Sequence, residues 1–162
     1  MMLSNRKVLL ILVIVLVYLI LAGVQKPDVI TEKDSLVTGN LLFKYEVNRY
    51  PSAVEVVAVE PGENIPLGMD TGPDNLNFGV IPHDSISNRF VNLTNLRSVD
   101  ATISFESTGA IKPFVSFERN GFVLKSNEKI STMLYFNSTG VESGNYSGYI
   151  YVIMETPRYV IF

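Results

Sequence analysis

The sequence predicts an all-β chain, an antiparallel sandwich or barrel, preceded by a single N-terminal transmembrane helix. Three observations lead there. Val8 to Val24 is a run of seventeen residues without a charge. No helical period recurs after residue 24, where short alternating segments are spaced by turn signals instead. The chain also carries 9 Phe and 8 Tyr beside many Val and Ile, side chains that suit a pleated, half-buried surface.

At about 1.5 Å per residue, a helix over residues 8–24 reaches roughly 25 Å, the lower end of what crosses a bilayer. Arg6 and Lys7 precede it, while Lys26, Asp28, Glu32, Lys33 and Asp34 behind it nearly cancel. Positive charge stays on the cytoplasmic side, so the expected localisation is the cell membrane, single-pass, with the N-terminus cytoplasmic and the remainder extracytoplasmic. A cleaved secretory leader is the competing reading. Ala22 and Gly23 fit a cleavage site, but Ile20 and Leu21 are large where a small residue is wanted. No Cys follows Ala22-Gly23, which excludes lipid attachment, and the start lacks a pilin-type leader. A buried helix is disfavoured because the run is apolar all round. The expected organisation is a cytoplasmic 1–7, a transmembrane 8–24, a linker 25–40 with Pro27 and Gly39, and a β domain over 41–162.

Setting aside Arg6 and Lys7 leaves 11 basic against 16 acidic side chains, a formal charge of −5 beyond the helix. This mild acidity argues against nucleic acid, which demands clustered Lys and Arg. With no Cys, neither disulfides nor thiolate metal sites brace the domain, so its core must.

Leu41 to Val47 and Ala53 to Glu60 are the first strand candidates, broken by Arg49-Tyr50-Pro51-Ser52. Residues 61–75 hold three Pro and three Gly and read as an ordered loop. Strands are then expected over Leu76 to Val80, Ser87 to Asn95, Ala101 to Ser107 and Phe114 to Glu118. After a hairpin signal at Asn120-Gly121 come Phe122 to Lys125, Lys129 to Asn137 and Tyr146 to Met154. Ile103 and Phe105 share one face. Ile130, Leu134 and Phe136 share another, and Ile150, Val152 and Met154 a third, with Tyr149, Tyr151 and Ile153 on the reverse. Arg158 to Phe162 reads as a further edge strand, since an unpaired apolar end invites aggregation.

Asn77-Phe78-Gly79-Val80-Ile81-Pro82, a polar turn, then Phe90-Val91-Asn92-Leu93-Thr94-Asn95 resembles the opening of ASH/MSP-type immunoglobulin-like domains. The Glu128 to Phe136 strand and Gly144-Asn145-Tyr146-Ser147-Gly148 followed by Tyr149 to Val152 resemble the closing half. The resemblance covers residues 74–156 and implies an immunoglobulin-like antiparallel β-sandwich used as a scaffold and binding module without catalytic residues. Within it, Gly79 allows close chain approach and Pro82 ends pairing. Val91 and Leu93 point inward and Asn92 outward. Asn95 turns the chain through side-chain bonds to backbone. The Tyr146 hydroxyl pins a neighbouring loop, as a tyrosine corner does.

Chemistry is sparse. His83 is the single histidine and sits in a turn, so a hydrolase built on it as base is a distant reading. No nucleophile elbow, metalloprotease motif or phosphate loop occurs. Asp70-Thr71-Gly72-Pro73-Asp74-Asn75-Leu76-Asn77 offers oxygen donors that calcium prefers, without EF-hand spacing, and is also ordinary turn composition. No cofactor or metal is expected. Asn92, Asn137 and Asn145 begin Asn-x-Ser/Thr triplets open to glycosylation. Tyr135, Tyr149 and Tyr151 are the candidate binding face. The expected role is a non-catalytic structural, adhesion or assembly module of an archaeal-type cell surface, with a protein partner in the envelope or an appendage. Its layout is similar to membrane-anchored sandwiches that steady an archaeal flagellum. The alternative is a secreted carbohydrate- or protein-binding module freed of its leader.

Overall fold

The computed structural model of the chain describes residues 5–28, 30, 32–59 and 74–159. Ten elements occur among them. α1 is Asn5–Val24, and the strands are β1 Ser35–Gly39, β2 Phe43–Val57, β3 Gly79–Pro82, β4 Ile86–Thr94, β5 Ala101–Gly109, β6 Val115–Phe117, β7 Phe122–Leu124, β8 Lys129–Asn137 and β9 Gly144–Pro157. One sheet runs β1-β2-β9-β5-β7, with β3 also against β2, and the other runs β4-β8-β6. All pairings are antiparallel except β2 with β3.

The two sheets share one core, because each strand alternates as its sequence predicts. Ile103, Phe105, Ile150 and Val152 enter it from the larger sheet, and Leu93, Leu134 and Phe136 from the smaller. Phe105 stacks on Phe117 at 5.3 Å between centroids, and Phe136 lies between Phe78 and Phe114 at 5.6 and 5.7 Å. Such aromatic pairs add to what their buried area contributes.

β2 corrects the predicted break at Pro51. It is one strand of 15 residues. Its partner β1 reaches only Asn48 and β3 begins only at Val54, so no strand pairs with Pro51 on that flank. The Pro51 carbonyl takes the Leu76 N–H at 2.9 Å on that flank, so the missing donor faces a gap rather than a ladder. The predicted hairpin at Asn120-Gly121 is also corrected. β6 lies in the small sheet and β7 in the large one, so the turn carries the chain between layers, with Gly121 at φ 69°. Arg158 and Tyr159 are not strand, and residues 160–162 lie outside the described residues.

The single-pass anchor and the localisation built on it do not stand. Among the described residues no helix is long and apolar enough to cross a membrane. α1 begins with Asn5, Arg6 and Lys7, and the seventeen residues that follow rise about 25 Å against a hydrocarbon core of about 30 Å. Its described apolar side chains, Leu9 to Leu21, are exposed around the whole circumference.

Within the predicted linker 25–40, described residues are tied to the β domain and Ser35–Gly39 forms β1. The end of α1 is tied to the β1–β2 turn: the Leu41 N–H donates to the Gly23 carbonyl at 2.8 Å, and Asn40 Nδ2 donates to Val24 and Gln25 carbonyls at 2.9 and 3.1 Å. The chain then reaches Glu106 on β5 through Lys26 at 3.5 Å and returns to Arg49 on β2 through Asp34 at 2.9 Å. It straps the outer face of the large sheet, where Tyr45, Val47, Tyr151 and Ile153 form a second buried cluster flanked by Leu36 and Phe43.

Candidate functional site

The predicted tyrosine face does not assemble. Tyr135 is on β8 in the small sheet, whereas Tyr149 and Tyr151 are on β9 in the large one. Tyr151 is 3% exposed in the cluster beneath the strap. Tyr149 is partly exposed, and its ring lies 4.5 Å below the Arg49 guanidinium, a cation–π contact that fixes both. Strand alternation placed Tyr149 and Tyr151 outward correctly, but nothing in it reveals that Lys26 and Asp34 are tied to Glu106 and Arg49, the residues on either side of Tyr151.

Asn92, Asn137 and Asn145 all lie exposed, the first two on the outer face of the small sheet. His83 Nε2 meets Ser143 Oγ at 2.8 Å in a surface turn. Of the predicted calcium loop, Asp70 to Pro73 lie outside the described residues, and Asn77 uses its Oδ1 to accept the Ala53 N–H at 2.9 Å. Among the described residues, no three His, Asp or Glu side chains converge to hold a metal.

Two expectations drawn from the resemblance meet their geometry. Asn95 is fully buried; its Nδ2 donates to Val99, Leu124 and Lys125 carbonyls at 2.8, 3.1 and 3.1 Å, and its Oδ1 accepts the Arg97 N–H at 3.0 Å. The Tyr146 hydroxyl donates to the Glu142 carbonyl at 2.9 Å, and its ring meets Phe114 edge-on at 5.7 Å.

A groove of about 710 Å³ lies between β1, the start of β2 and the β4–β5 loop, with Lys44, Arg97 and Arg158 on its walls. Its cations are engaged within the chain. Lys44 and Arg97 both bind the Glu46 carboxylate, and Arg158 Nε reaches the Phe43 carbonyl at 3.3 Å. The Arg97 hydrogen bond, aided by Lys44, holds the Glu46 carboxyl below the usual carboxylate range in spite of partial burial.

Within the β domain, the outer face of the small sheet and the edge of β4 that no described strand pairs carry exposed apolar side chains, a feature sequence reading did not single out. Ser138 N–H donates to the Ser85 carbonyl and Asn95 N–H to the Glu128 carbonyl, both at 2.9 Å, which brackets the β4–β8 ladder. Residues 87, 89, 91 and 93 therefore bond β8, and Ile86, Asn88, Phe90, Asn92 and Thr94 turn their N–H and C=O groups to the far edge, where none of the described strands pairs. Those same residues have exposed side chains, with Ile86 67% and Phe90 66% exposed. Met133 and Tyr135 lie beside them across the ladder. β4 runs nine residues without a proline or a break in register, whereas β1, β3, β6 and β7 span five residues or fewer.

No protein-family model, no curated protein and no solved structure matches this chain.

Proposed function

We propose that the chain is an immunoglobulin-like structural or assembly module that acts by contact with a protein partner and carries no catalysis. The observation that supports this most is the exposed strip of Ile86 and Phe90 on a nine-residue edge that no strand among the described residues pairs. Apolar side chains beside unpaired backbone groups are what a strand-forming partner takes up, and long open edges are otherwise shielded. The immunoglobulin-like part is supported by two sheets sharing a core and by the Tyr146 hydroxyl held on Glu142, a tie of the tyrosine-corner kind. In vivo photocrosslinking tests the reading. A photoreactive residue at position 90 should yield protein adducts, while one at Val123, equally exposed on β7, should not. Equal labelling at both positions, or none at either, would reject it.

A further inference from the structure

We infer that the partner at this edge is a second copy of the chain, joined through β4 in antiparallel register about a two-fold axis at Phe90; this rests on the proposed function above.

Three observations converge. First, the exposed backbone groups are self-complementary. With Phe90 opposite Phe90 of the second copy, Asn88 meets Asn92 and Ile86 meets Thr94, so every outward N–H and C=O of the nine-residue strand finds a partner. The result is one continuous six-stranded sheet, β6-β8-β4 running into β4-β8-β6, and an isologous interface.

Second, charge permits it. Ile86, Asn88, Phe90, Asn92 and Thr94 are all uncharged, so two identical rows meet without repulsion. The single charge on β4, Arg89, turns inward, where its Nε donates to the Asn77 carbonyl. Toward the strand ends the signs differ: Asp84 precedes Ile86, and Lys129 stands exposed opposite Thr94 on β8, while Arg97 is taken up by Glu46. Antiparallel pairing brings each acidic end toward the basic end of the other copy, whereas a parallel pairing would stack like on like.

Third, the side chains match. Phe90 opposite Phe90 is an aromatic cross-strand pair, and Ile86 gains the Thr94 methyl. Asn88 and Asn92 can exchange amide hydrogen bonds across the same ladder. A glycan on Asn92 would occupy this edge, so the pairing belongs to the unmodified chain.

The test uses the full chain, made without glycosylation and kept in mild nonionic detergent so that α1 does not associate. The chain has no cysteine, so single introduced thiols report unambiguously. In the proposed register, residue 90 lies about 5.5 Å from its symmetry mate, within disulfide reach, whereas residue 86 lies some eight residues from its own. Phe90→Cys should therefore form a disulfide-linked dimer under mild oxidation at least tenfold faster than Ile86→Cys. Asn88→Pro removes an outward donor without touching the β8 ladder and should weaken the dimer at least tenfold by analytical ultracentrifugation. Phe90→Lys, which leaves backbone geometry alone, should do the same. Equal or absent crosslinking of the two cysteine variants, or a wild-type chain monomeric at 100-micromolar concentration, on the order of a weak interface, would overturn the inference. Photoadducts at position 90 to a different protein, with a monomeric chain, would overturn it while leaving the proposed function standing.

Discussion

The Asn120 carboxamide closes on the backbone of Phe105, accepting its N–H at 2.8 Å and donating back to its carbonyl at 3.1 Å. An amide side chain thus takes the place of a strand residue just where β7 ends against β5, at Ile103. It anchors the turn by which the chain passes from the small sheet to the large one.

Removing it leaves two backbone groups of a buried residue without partners. Asn120→Ala should cost about 1–3 kcal/mol, read as a lower denaturation midpoint. Asn120→Asp keeps the acceptor and loses the donor, and should fall between wild type and alanine. Equal stability of all three proteins would show that water replaces the amide.

Gly109 and Gly148 face each other across β5 and β9. A Cβ on Gly148 would stand 1.9 Å from the Thr108 carbonyl oxygen and 2.9 Å from Ile111. Gly148→Ala should destabilise by about 3 kcal/mol or more, as overpacking against backbone does. Gly121→Ala meets nothing within 4 Å and bears only its φ of 69°, so about 1 kcal/mol is expected there. Similar melting temperatures for the two variants would refute the packing argument.

The Tyr146 hydroxyl has one job in the fold, to hold the Glu142 carbonyl. Tyr146→Phe keeps the ring on Phe114 and should cost about 1 kcal/mol. Amide exchange should quicken around residues 140–145 and not in β2. Uniform acceleration would mean global rather than local loosening.

Glu46 links stability to acid. Its carboxyl is held below its ordinary value of 4.5 by Arg97 first and Lys44 next, so the folded chain binds that proton more weakly than the unfolded chain. Its contribution is complete above the unfolded value and fades as pH falls through the lower folded value. Glu46→Gln should lower stability near pH 7 by about 1 kcal/mol, the scale of a partly exposed pair, and the deficit should shrink below pH 4.5. A deficit that grows with acidity would reverse the assignment.

How much of this was legible in the chain depends on what alternation can express. Ile103 with Phe105, and Leu134 with Phe136, announce their inward faces at period two, and β8 occupies Lys129–Asn137 as predicted. Alternation does not say which sheet a strand joins, so Tyr135 and Tyr149 read as neighbours although they lie in different layers. Pro51 reads as a break because the gap between β1 and β3 that tolerates it is made by distant residues. Tyr151 is buried with Tyr45, Val47 and Ile153 on the face away from the main core, and alternation does not tell that this outer face is covered. The edge of β4 that no described strand pairs went unseen for the same reason, since an edge is defined by what fails to pair beside it.

The ties from Asn40 and Leu41 to the end of α1 have a mechanical consequence. Tension applied along the helix enters the sandwich at the β1–β2 turn, and the strap behind those ties carries no load. Were they to yield, the load would pass next to the Lys26–Glu106 and Asp34–Arg49 pairs and the short β1–β2 ladder, leaving the long β2–β9 ladder the last to feel the pull.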